Sequence, residues 1–223
     1  MTWTREALRL SYQPPVLRSI WTTRQPLPRF DGHPFVTKFT SAELNMSSRV
    51  RKLLETERFC VEIVSQTTRD GQDRQRPVIR HPGAVTILPI LADDRICLIR
   101  NFRVAVDRPL VELPAGTLEP SEQPEETAQR ELIEETGFQA ERIVRLHSFF
   151  MSPGILDERM HLFLAEGLRS VGHQREETEQ IENLIVCWPE ALAMVHRGEI
   201  QDAKTLVGLL LYERLREKKD GKE

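Results

Sequence analysis

Three glutamates, Glu131, Glu134 and Glu135, stand at i, i+3 and i+4 in the run Arg130-Glu131-Leu132-Ile133-Glu134-Glu135-Thr136-Gly137. On a helix this spacing gathers their carboxylates within about 100° of one face. Like charges so placed repel. Ala128 and Leu132 set an apolar seam beside them, where the repulsion is less screened than in open water. The arrangement calls for a cation. Hard oxygen ligands on a short arc suit Mg²⁺ or Mn²⁺, which take carboxylates and water and leave positions open for phosphate oxygens. Arg130, one turn before Glu134, is placed to hold that carboxylate. The alternative for any Glu-rich helix is a solvated acidic face.

The cluster needs a helix with defined ends. Ser121 or a neighbour can start one, Pro124 is tolerated in its first turn, and Gly137 suits the left-handed residue just past its end. Upstream, an apolar stretch from Val50 to Val64 leads into Asp70-Gly71, a turn signal, and a second run resumes near Val78, as in a hairpin. Further strands are expected at Ala84–Leu91, at Arg95–Arg100 beyond the break at Asp93-Asp94, and at Ile143–Phe149, His161–Glu166 and Leu184–Trp188. Two helices close the chain. One runs from Pro189 to Gly198, and the other is capped by Asp202 and turns Leu206, Leu209, Leu210 and Leu215 to a core. Strands mixed with a few helices, without regular βαβ alternation, indicate an α+β fold or a layered α/β/α sandwich.

Composition supports one globular catalytic domain with an appendage. The chain has 223 residues, 39% hydrophobic and 29% charged, which excludes disordered and fibrous classes. Its net charge is −3, yet residues 116–138 hold one Arg against seven Glu, so the acidity is concentrated in the helix region. Residues 1–54 are read as an extended N-terminal arm, rich in proline and basic side chains, and residues 55–223 as the catalytic domain. A solvated or subunit-packing arm is preferred over nucleic-acid binding, because no nucleic-acid module accompanies the charge. Cys60, Cys97 and Cys187 form no CxxC pair, so free thiols in a reducing cytosol are expected. No apolar run is long enough for a signal peptide or a membrane span, and a soluble cytoplasmic protein is the expectation. His81, His147 and His161 show no metal-ligand spacing and are read as structural.

Gly116, Glu122 and the run Arg130 to Phe138 together resemble the full Nudix box. That resemblance implies the Nudix fold, an α/β/α sandwich with a mixed sheet, in which a loop, helix and loop hold divalent metal against a diphosphate. It implies that Glu131 and Glu135, the backbone carbonyl of Ala115 and a contribution from Glu134 bind Mg²⁺, with Mn²⁺ as the other candidate. The segments His81-Pro82-Gly83-Ala84-Val85, Asn101-Phe102-Arg103, Glu112-Leu113-Pro114-Ala115-Gly116 and Ser152-Pro153-Gly154 resemble the ADP-ribose pyrophosphatase branch. So does Pro153 itself, sixteen residues beyond Gly137. Asn101 stands where that branch commonly has Gln.

The same resemblance assigns Arg103 to the diphosphate or terminal ribose, where a guanidinium fork suits phosphate oxygens. Arg76 is a secondary candidate for that role, an ordinary surface ion pair being preferred for it. Glu112 is expected to accept hydrogen bonds from ligand or metal-bound water. A base for the attacking water is expected in the acidic run before Leu184, with Glu179 first and Glu177 second. Asp157 and Glu158 are assigned equally to ligand binding and to shaping their loop. For the adenine, Trp21, Phe35 and Phe59 are all open. The expected activity is Mg²⁺-dependent hydrolysis of ADP-ribose to AMP and ribose 5-phosphate by a homodimer whose arm crosses subunits. The alternatives are another nucleoside diphosphate derivative (ADP-glucose, GDP-mannose, FAD or an oxidised nucleotide) and a non-catalytic sensor of nucleotide sugars.

Overall fold

The computed structural model describes residues 49–172 and 181–219. Three antiparallel strands come first: β1 (Arg49–Glu55), β2 (Cys60–Thr67) and β3 (Asp73–Arg80). Gly71, in the turn between β2 and β3, has φ of 77°, a conformation glycine adopts at no steric cost. The stretch Val50–Val64, read as one run, is broken after Glu55. There Thr56 Oγ1 donates to the Phe59 carbonyl at 2.7 Å and accepts the Phe59 N–H at 3.0 Å, folding the run into a hairpin of its own. Residues 49–54, assigned by sequence to the end of the arm, are strand. Residues 1–48 lie outside the described residues.

The second sheet is built from β4 (Ala84–Leu91), β5 (Arg95–Arg103), β6 (Arg108–Glu112), β7 (Ala115–Thr117), β9 (Arg142–Phe150), β10 (Arg159–Glu166) and β12 (Ile181–Cys187). Its main path runs β12-β5-β4-β10-β9, with β4 and β10 parallel and the other neighbours antiparallel. β8 (Phe138–Gln139) and β11 (Arg169–Ser170) form a separate two-stranded ribbon. The helices are α1 (Pro124–Thr136), α2 (Trp188–His196) and α3 (Ala203–Lys219).

Alternation along β4 and β10 sets the layers, because successive side chains point to opposite faces of a sheet. Val85 and Ile87 of β4, with Phe163 and Ala165 of β10, pack on Ala128 and Leu132 of α1. Leu88, Leu162 and Leu164 face the other way, toward Trp188, Ala191 and Met194 of α2 and Leu209 of α3. A sheet covered on both faces is the expected α/β/α sandwich, and it explains why the sequence of β4 is almost continuously apolar.

One departure from a regular sheet places the site. β4 and β5 pair only at Ile90↔Ile96 and Leu91↔Arg95, then separate. Residues 108–117 enter this fork, β6 pairing with the far half of β5 and β7 with the start of β4. Between them the Pro114 carbonyl accepts the Ile87 N–H at 2.9 Å. Against this segment α3 seats closely: a Cβ at Gly208 would lie 2.6 Å from Leu113 Cδ1.

Asp202 caps α3 as expected, Oδ2 accepting the Thr205 N–H at 3.0 Å. The expected core face needs one correction. Leu209 is fully buried, and Leu206 and Leu215 are half-buried, but Leu210 is 51% exposed. It follows Leu209 by one residue and so lies about 100° around the helix, off the apolar stripe. Leu209→Ala should lower unfolding free energy by roughly 2–4 kcal/mol in urea titrations, and Leu210→Ala should change it by less than about 0.5. Equal effects would place the wrong face of α3 against the sheet.

Candidate active site

Helix α1 begins at Pro124, three residues beyond Ser121. Ser121 has φ of 73° and belongs to the preceding turn, while Gln123 is the N-cap and Pro124 the first helical residue. Glu126 Oε2 accepts the Gln123 N–H at 3.0 Å, completing a capping box. At the other end Gly137 takes φ of 73° and its N–H reaches the Ile133 carbonyl at 2.8 Å. Asn183 of β12 donates to the Thr136 carbonyl at 2.8 Å, tying the helix end to the sheet.

Arg130 is the centre of the acidic face. Its Nε and Nη2 fork onto Glu122 at 3.1 and 3.0 Å, and Nη1 donates to Glu131 Oε1 and Glu134 Oε2, both at 2.8 Å. Thr127 Oγ1 adds a 2.8 Å bond to Glu122. The hydrogen bond from Arg130 pulls the Glu122 pKa below its ordinary value, and the same contact, with Glu131 and Glu134, raises that of Arg130. The expected hold of Arg130 on Glu134 is present, and it extends to two further carboxylates.

Glu135, only 3% exposed, points to the fork, where its Oε2 accepts the Ala115 N–H at 2.8 Å. Glu131 fills the space over Gly116: a Cβ there would lie 1.8 Å from Glu131 Oε1. Gly116 is thus required by close approach, since its φ is not in the left-handed region. Ala115, Glu131, Glu134 and Glu135 are brought together as expected. Among the described residues, no three His, Cys, Asp or Glu side chains converge to hold a metal ion as they stand, because Arg130 draws Glu131 and Glu134 to itself. The donor set still fits a hard divalent cation: carboxylates from one helix face meet β7 over a glycine that leaves them room.

On the far side of the fork, Arg103 Nε and Nη2 donate to Glu112 Oε1 and Oε2 at 2.8 and 2.6 Å. Glu112 is 1% exposed, and its Oε2 also receives Lys204 Nζ at 2.6 Å. Burial alone would raise the Glu112 pKa, but the two cations outweigh it and the net shift is downward. The Arg103 pKa is raised by its bond to Glu112, with burial opposing and the charge of Glu135 contributing. Arg103 is thus held by a buried carboxylate three residues before Ala115, the residue whose N–H bonds Glu135. The carboxylate expected to accept hydrogen bonds from a ligand holds the arginine here. Lys204 was missed by sequence reasoning, which saw in Asp202-Ala203-Lys204-Thr205 only a helix start; nothing local marks a lysine as buried.

The other expected residues lie apart. Arg76 is an exposed residue of β3 opposite Val64, in the first sheet. Pro153 lines a cavity of about 280 Å³ with Val78, Phe150, Leu156, Arg80 and Asp157, which includes no residue of α1. Asp157 shapes its loop, accepting Arg80 Nη1 at 3.0 Å and the His81 N–H at 2.9 Å. His81 Nδ1 accepts the Gly83 N–H at 3.1 Å, and His161 Nδ1 bonds Ser148 Oγ at 2.9 Å, consistent with structural roles. Glu177 and Glu179 lie outside the described residues, as do Trp21 and Phe35; Phe59 is partly exposed at the β1–β2 turn.

The Glu112 pair predicts a pH dependence. Because its folded pKa is depressed, the pairing stabilises the fold above the ordinary carboxyl pKa and is lost as pH falls through the folded value. Glu112→Gln should cost roughly 2–4 kcal/mol at pH 7. It should also flatten the acid limb of stability against pH, measured by urea unfolding between pH 3 and 7; an unchanged limb would mean that Glu112 does not carry it.

A model of the NUDIX domain matches residues 80–207. The ADP-ribose pyrophosphatase of Bacillus subtilis (strain 168) is 42% identical over 138 residues, covering 61% of this chain and 75% of that protein. The methanol dehydrogenase activator of Bacillus methanolicus is 35% identical over 180 residues, 80% of this chain and 93% of its own. A crystal structure of an ADP compounds hydrolase superposes with a TM-score of 0.68 at 25% identity, covering 78% of this chain and 95% of that one. No helix among the described residues is long and apolar enough to cross a membrane.

Proposed function

Because the chain belongs to the NUDIX family, we propose that it hydrolyses the diphosphate linkage of ADP-ribose, giving AMP and ribose 5-phosphate. The observation that carries this reading is the meeting of Glu131 and Glu135 with the backbone of β7, with Glu134 tied to Glu131 through Arg130, and Arg103 held by Glu112 three residues before Ala115. Carboxylates for a cation and a guanidinium for an anion, side by side, suit a substrate with two bridged phosphates. ADP-ribose pyrophosphatases of this family generally use a divalent metal. Here Glu131, Glu134, Glu135 and the Ala115 carbonyl would hold Mg²⁺, or Mn²⁺, which when bound neutralises the diphosphate and acidifies water.

The chain's own residues supply the rest. Arg103 binds and orients the diphosphate, its guanidinium fixed by Glu112. One water attacks one phosphorus, the bond to the bridging oxygen breaks, and that oxygen leaves on the other phosphate. The proton released goes to a carboxylate outside the metal set, Glu179, with Glu177 second; both sit in the acidic run preceding β12. Arg130 holds the acidic face together; Pro153 stands as a substrate-binding candidate, and Arg76, exposed on β3, as a secondary one behind an ordinary surface ion pair. The protein acts as a homodimer in the cytoplasm. Exposed Val50, Leu53 and Leu54 on β1 support the dimer.

Product analysis with ADP-ribose, ADP-glucose, GDP-mannose and FAD in Mg²⁺ tests the reading, and ADP-ribose is expected to give the highest kcat/KM. Turnover of none of them would leave the sensor alternative. Glu135→Gln should lower kcat for ADP-ribose by roughly 100-fold or more. Unchanged turnover would sink the metal assignment. If Glu179→Gln were fully active and Glu177→Gln inactive, the base would be Glu177. Sedimentation at micromolar concentration should show a dimer; a monomer would remove that assignment.

A further inference from the structure

We propose that Lys204 is a positioning residue for substrate binding, which shares the Glu112 carboxylate with Arg103 and so fixes the direction and charge balance of that guanidinium. The inference rests on the reading of Arg103 as a diphosphate ligand. Its ground is a lysine where stability alone would not put one. The Lys204 side chain is 8% exposed, and burying an ammonium is costly. It also stands in the first turn of α3, where the helix dipole disfavours a cation.

What offsets these costs is a closed set of partners. Lys204 Nζ lies 2.6 Å from Glu112 Oε2 and 2.9 Å from Asp202 Oδ1. Asp202 Oδ2 in turn accepts Thr205 Oγ1 at 2.6 Å, and Thr205 Oγ1 accepts the Leu113 N–H at 2.8 Å. One turn of α3 thus holds the Glu112 side chain and the next residue's backbone together. Arg103 and Lys204 carry two positive charges against two negative on Glu112 and Asp202, so the set is neutral. Without Lys204 it would carry a net negative charge beside the place where an anionic diphosphate binds. Glu112 would then be left to Arg103 alone, drawing the guanidinium away from substrate.

The test uses Lys204→Met, which keeps length and removes charge. KM for ADP-ribose should rise roughly tenfold, with kcat changing less than about threefold. The Arg103 Nε–H signal in a ¹H–¹⁵N spectrum of the full chain, assigned by its loss in Arg103→Gln, should shift. Lys204→Arg should bring KM most of the way back. Leu209→Ala, in the core of the same helix, should lower Tm and leave KM unchanged, separating lost stability from lost positioning. A lower Tm in Lys204→Met with KM and the Nε–H signal unmoved would overturn the proposal. Arg103→Gln distinguishes the two failures: unchanged KM there sinks the Arg103 reading, whereas raised KM there but not in Lys204→Met sinks only this inference. If ADP-ribose is not turned over at all, an unmoved Nε–H signal in Lys204→Met still overturns the orienting role.

Discussion

The separation of β4 from β5 is the constraint on which the site depends. Two strands that stayed paired would leave no room for residues 108–117, and Glu112 and Ala115 would have no fixed place. The fork costs backbone pairing, which the inserted segment restores: Ile87 bonds Pro114, and β6 and β7 take up the edges that β4 and β5 release. Because the insert crosses between the strands, it is touched from both sides of the sandwich. Glu135 of α1 reaches its backbone from one side, and Thr205 of α3 from the other.

That crossing explains how one short segment serves two kinds of chemistry. Glu112 belongs to a cationic neighbourhood made by Arg103 and Lys204, and Ala115, three residues on, to an anionic one made by α1. Opposite local charges within so short a span would collapse onto one another on a flexible loop. Here strand pairing on each side holds them apart, so both remain available to a ligand that carries phosphates and attracts cations.

Much of this was legible in the sequence, and the limits have physical causes. The acidic helix was readable because its signal is local: i+3 and i+4 spacing, a proline at the start and a left-handed glycine at the end. Its start was legible only to within a few residues of Ser121, because turn and cap residues share chemistry. β6 and β7 escaped notice because they are short and interrupted by Pro109 and Pro114, which read as loop. Gly116 was legible as part of the motif, but the neighbour that demands a glycine there, Glu131, is fifteen residues away in sequence. Lys204 was invisible for the same reason on a larger scale, since its carboxylate partner lies 92 positions upstream.

Arg130 also bears on how the proposed cation would enter and leave. In small zinc domains the ligands cannot come together until the metal arrives, so chelation and denaturation are the same event. Here a guanidinium already stands among Glu122, Glu131 and Glu134, and the helix that carries them is capped at both ends and buried on Ala128 and Leu132. A cation bound there as proposed would meet a finished scaffold and compete with an internal counter-ion, so its loading and stripping would be reversible equilibria of a folded protein, set by the free concentration of the ion.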